Sequence, residues 1–261
     1  MVPGHKSKLL YLNIFSFVAV LMILNLYSGN SGRVAVAQQQ QADPVIRWLQ
    51  SPDQEGKLHA AQAIGVQPTA ERVRALLAEI STCSDRGLRK QLLEIAASVD
   101  AGNYSRELME VFTEWRNGDL REAMRKALLR SSSPKVVDEL VNSGSIIEDQ
   151  RVVRDIARTL TRIANPGAVD RLLAGLESSN ISIAAGCAAA LATIGNREAI
   201  QGLVSVYPQA DQERKMVLLE AISRVKNQEA LPAVNQALSR ADIDANLRQT
   251  LNRTLDMISN R

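Results

Sequence analysis

Aromatic residues, cysteine and histidine are scarce in this chain of 261 residues. Trp, Tyr and Phe together make up 3% of it, and there are two cysteines and two histidines. Two cysteines are too few for a disulfide framework, and only His59 lies outside the extreme N-terminus, which leaves little for a His-based metal site or a Ser–His triad. The chain also has no G-x-S-x-G motif and no phosphate loop. We therefore predict no metal, no cofactor and no enzyme activity.

An excess of charge of one sign is missing from most of the chain. The formal net charge is +3, from 31 basic and 28 acidic residues. Lys6, Lys8 and Arg33 account for this excess, because residues 38–261 hold 28 basic and 28 acidic residues. Nucleic-acid binding needs a basic footprint and, for single strands, aromatic stacking platforms. The sequence therefore predicts no nucleic-acid partner.

The longest apolar run lies at residues 9–27, after Lys6 and Lys8 and before the triplet Ala35-Val36-Ala37. This order is typical of a secretory signal peptide over residues 1–37, with Ala35 and Ala37 as the small residues at the cleavage site. The run of about 19 residues is also long enough to cross a bilayer, which takes roughly 20 residues, so an uncleaved signal anchor is the alternative. A buried core helix is a third and weaker interpretation.

Both leading interpretations predict that the rest of the chain is exported, because the positive charges before the run stay inside. The body would then be periplasmic or otherwise extracytoplasmic, and the uncleaved form would be anchored to the inner membrane through residues 9–27. Residues 38–51 are expected to form a polar tether and an N-terminal capping helix. Asp43 and Pro44 suit the start of that helix, and we expect Trp48 to cover the first repeat.

A repeated pattern of helices fills the chain beyond residue 50. Apolar residues recur at spacings of three and four, between short breaks rich in Gly, Pro and Asn, which indicates amphipathic helices. One of these breaks is expected at residues 101–103. One motif recurs with an offset of 31 residues, and weaker copies precede it. Its clear copies span residues 160–172, 191–203 and 222–234. The pattern predicts an all-α fold, an α–α superhelix of six helix pairs over 52–240 with a closing helix in 241–261.

The stretch Ala190–Leu203 reads A-L-x-x-I-G-N-x-E-A-I-x-x-L and resembles the short HEAT-type repeat that is also found in bilin-lyase-like proteins. The resemblance covers about 190 residues and is strongest in the last three repeats. It implies a HEAT/armadillo-like solenoid. The lyase activity of some relatives is not carried over, because the chain shows no pigment-related signature.

Basic residues at helical spacing predict one candidate surface. Arg154 and Arg158 are four residues apart and so share a helix face, and Lys126 aligns with Arg158 one repeat earlier. Stacked repeats would merge these side chains into a patch for an anionic partner. Its members are Arg121, Arg125, Lys126, Arg130, Arg151, Arg154, Arg158 and Arg162. The alternative is an ordinary solvated face that is neutralised by Glu122, Glu148, Asp149 and Asp155.

A second candidate is the outward face of the second helix in each pair, which we expect to be concave and to contact a peptide or a helix. Ordinary solubility explains the same small polar residues equally well. The candidate residues are Asp170, Arg171, Gln201, Ser205, Asn235 and Gln236. Cys83 and Cys187 are expected to lie too far apart for a disulfide, with Cys187 in the core. Cys187 belongs to the small-residue stretch 183–190, which predicts a close approach between helices.

Together these features favour a non-catalytic scaffold for protein–protein interaction in the cell envelope, which binds another envelope protein. The alternative is an enzyme-accessory or lyase-type protein that holds a ligand between its repeats. A purely structural role in the envelope is the third option.

Overall fold

A computed structural model describes residues 43–114, 118–131 and 133–260. These residues form α-helices and short 3₁₀ turns, with no β-strand in the described ranges. The helices are α1 (Pro44–Leu49), α2 (Gln54–Val66), α3 (Ala70–Thr82), α4 (Arg86–Ser98), α5 (Ala101–Glu114), α6 (Gly118–Arg130), α7 (Pro134–Ile146), α8 (Gln150–Leu160), α9 (Val169–Gly175), α10 (Ile181–Ile194), α11 (Arg197–Val206), α12 (Gln212–Ser223), α13 (Leu231–Leu238) and α14 (Ala245–Ser259).

The predicted signal segment lies outside the described residues. This holds for the apolar run 9–27, for Ala35 and Ala37 at the expected cleavage site, and for the tether as far as residue 42. Across residues 43–114, 118–131 and 133–260, no helix combines the length and the apolar character that crossing a membrane requires.

The helices form two parallel rows. Row A holds α2, α4, α6, α8, α10, α12 and α14, and row B holds α1, α3, α5, α7, α9, α11 and α13. Within each row, successive helices pack side by side, with one exception described below, and every row B helix also packs against the row A helix that follows it. The predicted all-α superhelix of six helix pairs, α2 to α13, with α14 closing the array, is therefore confirmed.

One continuous core lies between the rows. Each unit contributes an aliphatic side chain from row B, and each of these side chains is completely buried. In chain order they are Leu76, Leu108, Leu140, Leu172, Leu203 and Val234. Because a two-helix unit cannot bury its apolar face alone, this shared core holds neighbouring units together.

The recurring Asn of the repeat motif is a helix N-cap. The Asn165 side chain accepts a hydrogen bond from the N–H of Gly167 at 2.9 Å, and Asn196 accepts one from Ala199 at 2.9 Å. Asn227 accepts one from the N–H of Glu229 at 3.0 Å, and its Nδ2 donates to the carbonyl of Ile194 in the preceding unit, also at 3.0 Å. At this last position the amide both starts a helix and links two units.

Gly195 ends α10 in the left-handed conformation, with φ of 56°, and no other described residue has a positive φ. A Cβ here would lie 2.9 Å from the Cβ of Asn227. Glycine is therefore required at this position for its backbone and for the close approach of the next unit. In the neighbouring units, α8 and α12 end in right-handed turns instead.

Two local expectations were wrong. Trp48 is 64% exposed, and Leu49 is the completely buried residue of α1; Val45, one turn earlier, packs on the core beside it, so Trp48 lies off the buried face. The expected break at 101–103 instead forms the first turn of α5. That helix has a non-helical residue at Tyr104, whose hydroxyl donates to the carbonyl of Pro68 at 2.6 Å.

The capping aspartates predict how stability depends on pH. A hydrogen bond from Arg72 lowers the pKa of Asp43, and backbone hydrogen bonds from Arg151 and Leu247 lower the pKa values of Asp149 and Asp244. A carboxyl with a lowered pKa in the folded state stabilises the fold above its unfolded pKa, and this stabilisation is lost as pH falls through the folded value. We expect the free energy of unfolding, measured by urea denaturation, to decline below about pH 4.

Replacing Asp149 with Asn provides the control for this pH dependence. The amide oxygen still caps α8 but does not titrate, so the variant should lose less stability between pH 6 and pH 3 than the parent chain. Equal stability of the parent chain at these two pH values would contradict the prediction.

Candidate functional site

The basic residues predicted as a patch lie on row A, mainly on α6 and α8. With Arg162, which lies in the turn after α8, these two helices carry eight basic side chains and three acidic ones. Positive charge is therefore concentrated here, although residues 38–261 are neutral as a whole. We call this surface the basic face. It consists of Arg121, Arg125, Lys126, Arg130, Arg151, Arg154, Arg158 and Arg162.

A cleft separates α6 from α8, and we call it the α6–α8 cleft. Among the described residues these are the only successive row A helices whose backbones do not pack closely on each other. The cleft has a volume of about 260 Å³. Its lining comes from α5, α6 and α8, and consists of Phe112, Gly118, Arg121, Glu122, Arg125, Asp155, Arg158 and Arg162.

Two acids neutralise the inner arginines of this cleft. Arg121 Nη1 donates to Asp155 Oδ2 at 2.6 Å, and Arg125 binds Glu122 through Nε at 2.8 Å and Nη2 at 2.5 Å. Arg158 Nη1 is 3.9 Å from Asp155 Oδ1, and its side chain is 66% exposed. An exposed pair at this distance stabilises little. The α6–α8 cleft thus keeps a net positive charge at its outer rim.

Arg162 and Arg125 add to this charge in different ways. Arg162 is exposed and forms no ion pair with any residue of the described ranges. The Nη1 atom of Arg125 is buried and meets no hydrogen-bond acceptor within those ranges. A buried donor without a partner is costly, so this arginine lowers the stability of the fold around the cleft.

A second depression lies over α10, and we call it the α10 groove. Its floor is made of the short side chains of α10, and its walls come from α8 and α12. Its volume is about 380 Å³. The floor residues are Ser182, Ala185, Gly186 and Ala189, and the wall residues are Arg154, Ala157, Arg158, Thr161, Val217, Glu220, Ala221 and Arg224.

Gly186 explains why α10 lies so deep between its neighbours. A Cβ on this residue would be 2.8 Å from the carbonyl oxygen of Ala157 and 3.1 Å from its Cα. The backbones of α8 and α10 therefore approach as closely as only glycine permits, which confirms the predicted close approach along this small-residue face. Arg158 lines both the α10 groove and the α6–α8 cleft, so the two depressions adjoin across α8.

The rest of the predicted patch is divided. Lys126 and Arg130 line a third cleft, between α4 and α6, together with Lys90, Glu94, Asp119 and Glu122. Arg130 Nη1 donates there to the carbonyl of Ala97 at 3.2 Å. Arg151 is exposed at the start of α8, beside the capping Asp149, and lines none of these clefts. The structure thus brings together Arg121, Arg125, Arg154, Arg158 and Arg162, and places Lys126, Arg130 and Arg151 outside that group.

The second predicted surface lies on row B and carries no comparable charge. Arg171 pairs with Asp138 across 3.6 Å, and Gln201 Nε2 donates to Gln236 Oε1 at 2.8 Å, which links α11 to α13. Gln201, Ser205 and Gln236 line a cleft of about 430 Å³ between these helices. All six predicted residues, including Asp170 and Asn235, are exposed. Their mutual hydrogen bonds and ion pairs fit a solvated polar surface.

The cysteines are free thiols, and Cys187 is completely buried in α10, as predicted. Burial raises the pKa of its thiol to about 12, so the thiol is protonated at neutral pH and is a poor nucleophile. Cys83 is half-buried, and His59 is exposed. Within the described ranges, no group of three or more His, Cys, Asp or Glu side chains is arranged to hold a metal ion.

Comparison with known proteins agrees with the repeat architecture. Residues 137–223 match the family model for HEAT repeats. A comparison with proteins of curated function found no match.

Similar solved structures are repeat proteins and engineered proteins. A designed armadillo repeat protein is 16% identical, over 82% of this chain and 98% of its own, with a TM-score of 0.30. The complex of CpcE and CpcF of phycocyanin lyase from Nostoc is 19% identical, over 82% of this chain and 93% of its own, with a TM-score of 0.33. An engineered protein is 20% identical, over 83% of this chain and 95% of its own, also with a TM-score of 0.33. Likenesses at this level say nothing about function.

Proposed function

We propose that this chain is a non-catalytic interaction scaffold that holds a protein partner on its basic face. One observation carries the proposal: the α6–α8 cleft and the α10 groove adjoin at Arg158 and keep positive charge that the acids of the described residues do not neutralise. A partner with acidic side chains would complement this charge. The stacked helices behind the face supply a preorganised surface, which lowers the entropic cost of binding.

The proposed location is the cell envelope. Its support is the sequence of residues 1–37, with basic residues, an apolar run and the Ala35-Val36-Ala37 triplet in the order of an export signal. The partner would then be another envelope protein. An uncleaved segment would in addition tether the scaffold to the membrane through residues 9–27.

A ligand-holding, lyase-type protein remains the alternative. Sites for small organic ligands are usually enclosed and mostly apolar. Arginines line both depressions of the basic face, and Arg158 between them is largely exposed. This chemistry favours a charged macromolecular partner over an enclosed ligand.

Crosslinking with mass spectrometry on native envelopes tests the scaffold proposal. Crosslinks from three lysines show which face contacts the partner: Lys90 and Lys126 lie on row A, and Lys135 lies on row B. We expect a protein partner whose crosslinks map to row A, and we expect the double variant Arg154→Glu/Arg158→Glu to reduce them by about tenfold or more, since charge reversal turns attraction into repulsion. The same data give the mature N-terminus.

Lys135→Glu/Arg197→Glu is the matched control, because it makes an equal charge change at two exposed positions on row B. It should leave the crosslinks from Lys90 and Lys126 unchanged. The scaffold proposal would be abandoned if the partner were recovered equally from the parent chain and the double variant, or if crosslinks mapped only to row B.

A further inference from the structure

We infer that the partner's segment is extended and acidic, and that it crosses α8 with one carboxylate side chain in the α6–α8 cleft and a second in the α10 groove. This inference rests on the proposed function, because it specifies the chemistry that the basic face recognises. The carboxylates would be four residues apart in the partner's sequence.

The first carboxylate site is the outer part of the α6–α8 cleft. Arg158 and Arg162 are four residues apart at the end of α8 and line the same cleft. A carboxylate has two oxygens and accepts from arginine in a bidentate manner, so it can bind Arg158 and Arg162 together. Glu122 and Asp155 already neutralise the deeper positive charges, which favours a singly charged group over a dianion.

The second carboxylate site is the wall of the α10 groove. Arg154 is exposed there and forms no ion pair within the described residues. On the opposite wall, Arg224 Nη2 binds Glu220 Oε1 at 2.5 Å, so that wall is already neutral. The groove therefore offers its free positive charge on the α8 side, through Arg154 and Arg158. The short side chains of the α10 floor let a peptide backbone come close.

The spacing of the two sites sets the spacing of the carboxylates. A segment that passes from the α6–α8 cleft to the α10 groove must cross α8, whose diameter with side chains is about 10–12 Å. An extended chain advances about 3.3 Å per residue, so the crossing takes three to four residues. Side chains at i and i+4 of an extended segment point to the same side, whereas those at i and i+3 point to opposite sides. The spacing of four satisfies both conditions.

A peptide complements this surface better than an anionic lipid layer does. The Arg125 side chain is only 16% exposed and lies inside the cleft, where a flat layer of headgroups does not reach but a protruding side chain does. Glu94 lies in the neighbouring cleft on one side and Glu220 on the far wall of the groove. Arg224 neutralises Glu220, and the neighbouring cleft holds three basic and three acidic side chains. The excess positive charge is therefore confined to the region beside α8, which a narrow segment covers and a broad anionic surface exceeds.

Fluorescence anisotropy with the full chain, purified in detergent, tests the inference. Three labelled Ser/Thr-rich peptides of equal net charge would carry two glutamates at i and i+1, i and i+4, or i and i+8. We expect the i,i+4 peptide to bind most tightly, by about tenfold, since it alone places both carboxylates on arginines. Arg158→Glu should abolish this preference, and Arg158→Gln should reduce it without reversing the charge.

Arg154→Glu and Arg162→Glu should each weaken the i,i+4 peptide to the level of a peptide with one glutamate, while Lys135→Glu leaves it unchanged. Equal affinity for all three spacings, or an equal loss in Lys135→Glu, would overturn the inference. Vesicles of equal parts phosphatidylglycerol and phosphatidylcholine provide the lipid comparison. Vesicle binding that depends on the same arginines, together with no spacing preference among the peptides, would also overturn the inference. In each case the scaffold proposal would still be judged separately by the crosslinks in native envelopes.

Discussion

Gly186→Leu should lower the free energy of unfolding by about 3 kcal/mol or more, because overpacking at a fully packed helix contact displaces backbone rather than side chains. The atoms that a Cβ would meet are the carbonyl oxygen and Cα of Ala157, at 2.8 and 3.1 Å, and the Cβ of Leu160, at 3.1 Å. No rotamer change removes such contacts, so α8 and α10 must separate. Urea denaturation followed by circular dichroism measures the loss.

The alanine variants separate this steric effect from helix propensity. The Cβ of Gly186→Ala makes the same close contacts, but alanine also stabilises a helix interior by about 1 kcal/mol relative to glycine. This variant should therefore lose stability, but less than the leucine variant. Gly118→Ala is the control, because a Cβ added to this residue of α6 would meet no atom within 4 Å, and it should be neutral or slightly stabilising. A Gly186→Leu chain as stable as its parent would show that α8 and α10 do not pack as described.

Phe112→Ala should cost about 3–5 kcal/mol, the usual loss for truncating a buried phenylalanine. The Phe112 side chain on α5 is completely buried and lines the α6–α8 cleft. Its removal would join a new cavity to that cleft at the position where row A already lacks direct packing. We therefore expect hydrogen exchange to accelerate first in α5, α6 and α7, since units of a repeat array depend only on their neighbours.

Phe112→Leu provides the matched comparison, since it keeps most of the apolar volume and should cost only about 1–1.5 kcal/mol. Uniform acceleration of exchange along all the helices in Phe112→Ala would contradict the local response. It would show instead that the array unfolds as one cooperative unit.

The architecture was predictable because its determinants are periodic in the sequence. The buried aliphatic residues of row B recur every 31 or 32 residues, as do the Asn residues that cap the following helices. These signals gave the number of helix pairs and the closing helix. The capping role of Asn227, and its link to the carbonyl of Ile194, required coordinates, because a sequence pattern does not say which carbonyl lies within reach of an amide.

The basic face was predictable only in part. The spacing of Arg154 and Arg158 correctly placed both on one side of α8, but aligning repeats by sequence also assigned Lys126 and Arg130 to the same group. In the structure α6 and α8 are separated by a cleft, and those two side chains lie on its far side, toward α4. The alignment assumed uniform stacking of the units, and the gap in row A breaks that assumption. The run of small residues predicted the close packing of α10 but not the depression above it.

Trp48 illustrates a different limit of sequence reasoning. A large aromatic residue near the start of the array was expected to cover its end, yet Leu49 is buried and Trp48 is exposed. Successive side chains of a helix point about 100° apart. In a helix of six residues, a shift of one position therefore changes which side chain faces the core.

The interval of 31 residues between Asn165, Asn196 and Asn227 also bears on how such a gene can change in length. Removal or duplication of one whole interval joins equivalent turns and keeps every downstream apolar side chain directed inward. An insertion of one residue within a helix rotates everything after it by about 100° and exposes that side of the helix to water. Viable length variants of this protein should therefore differ by whole units, or by changes confined to the turns.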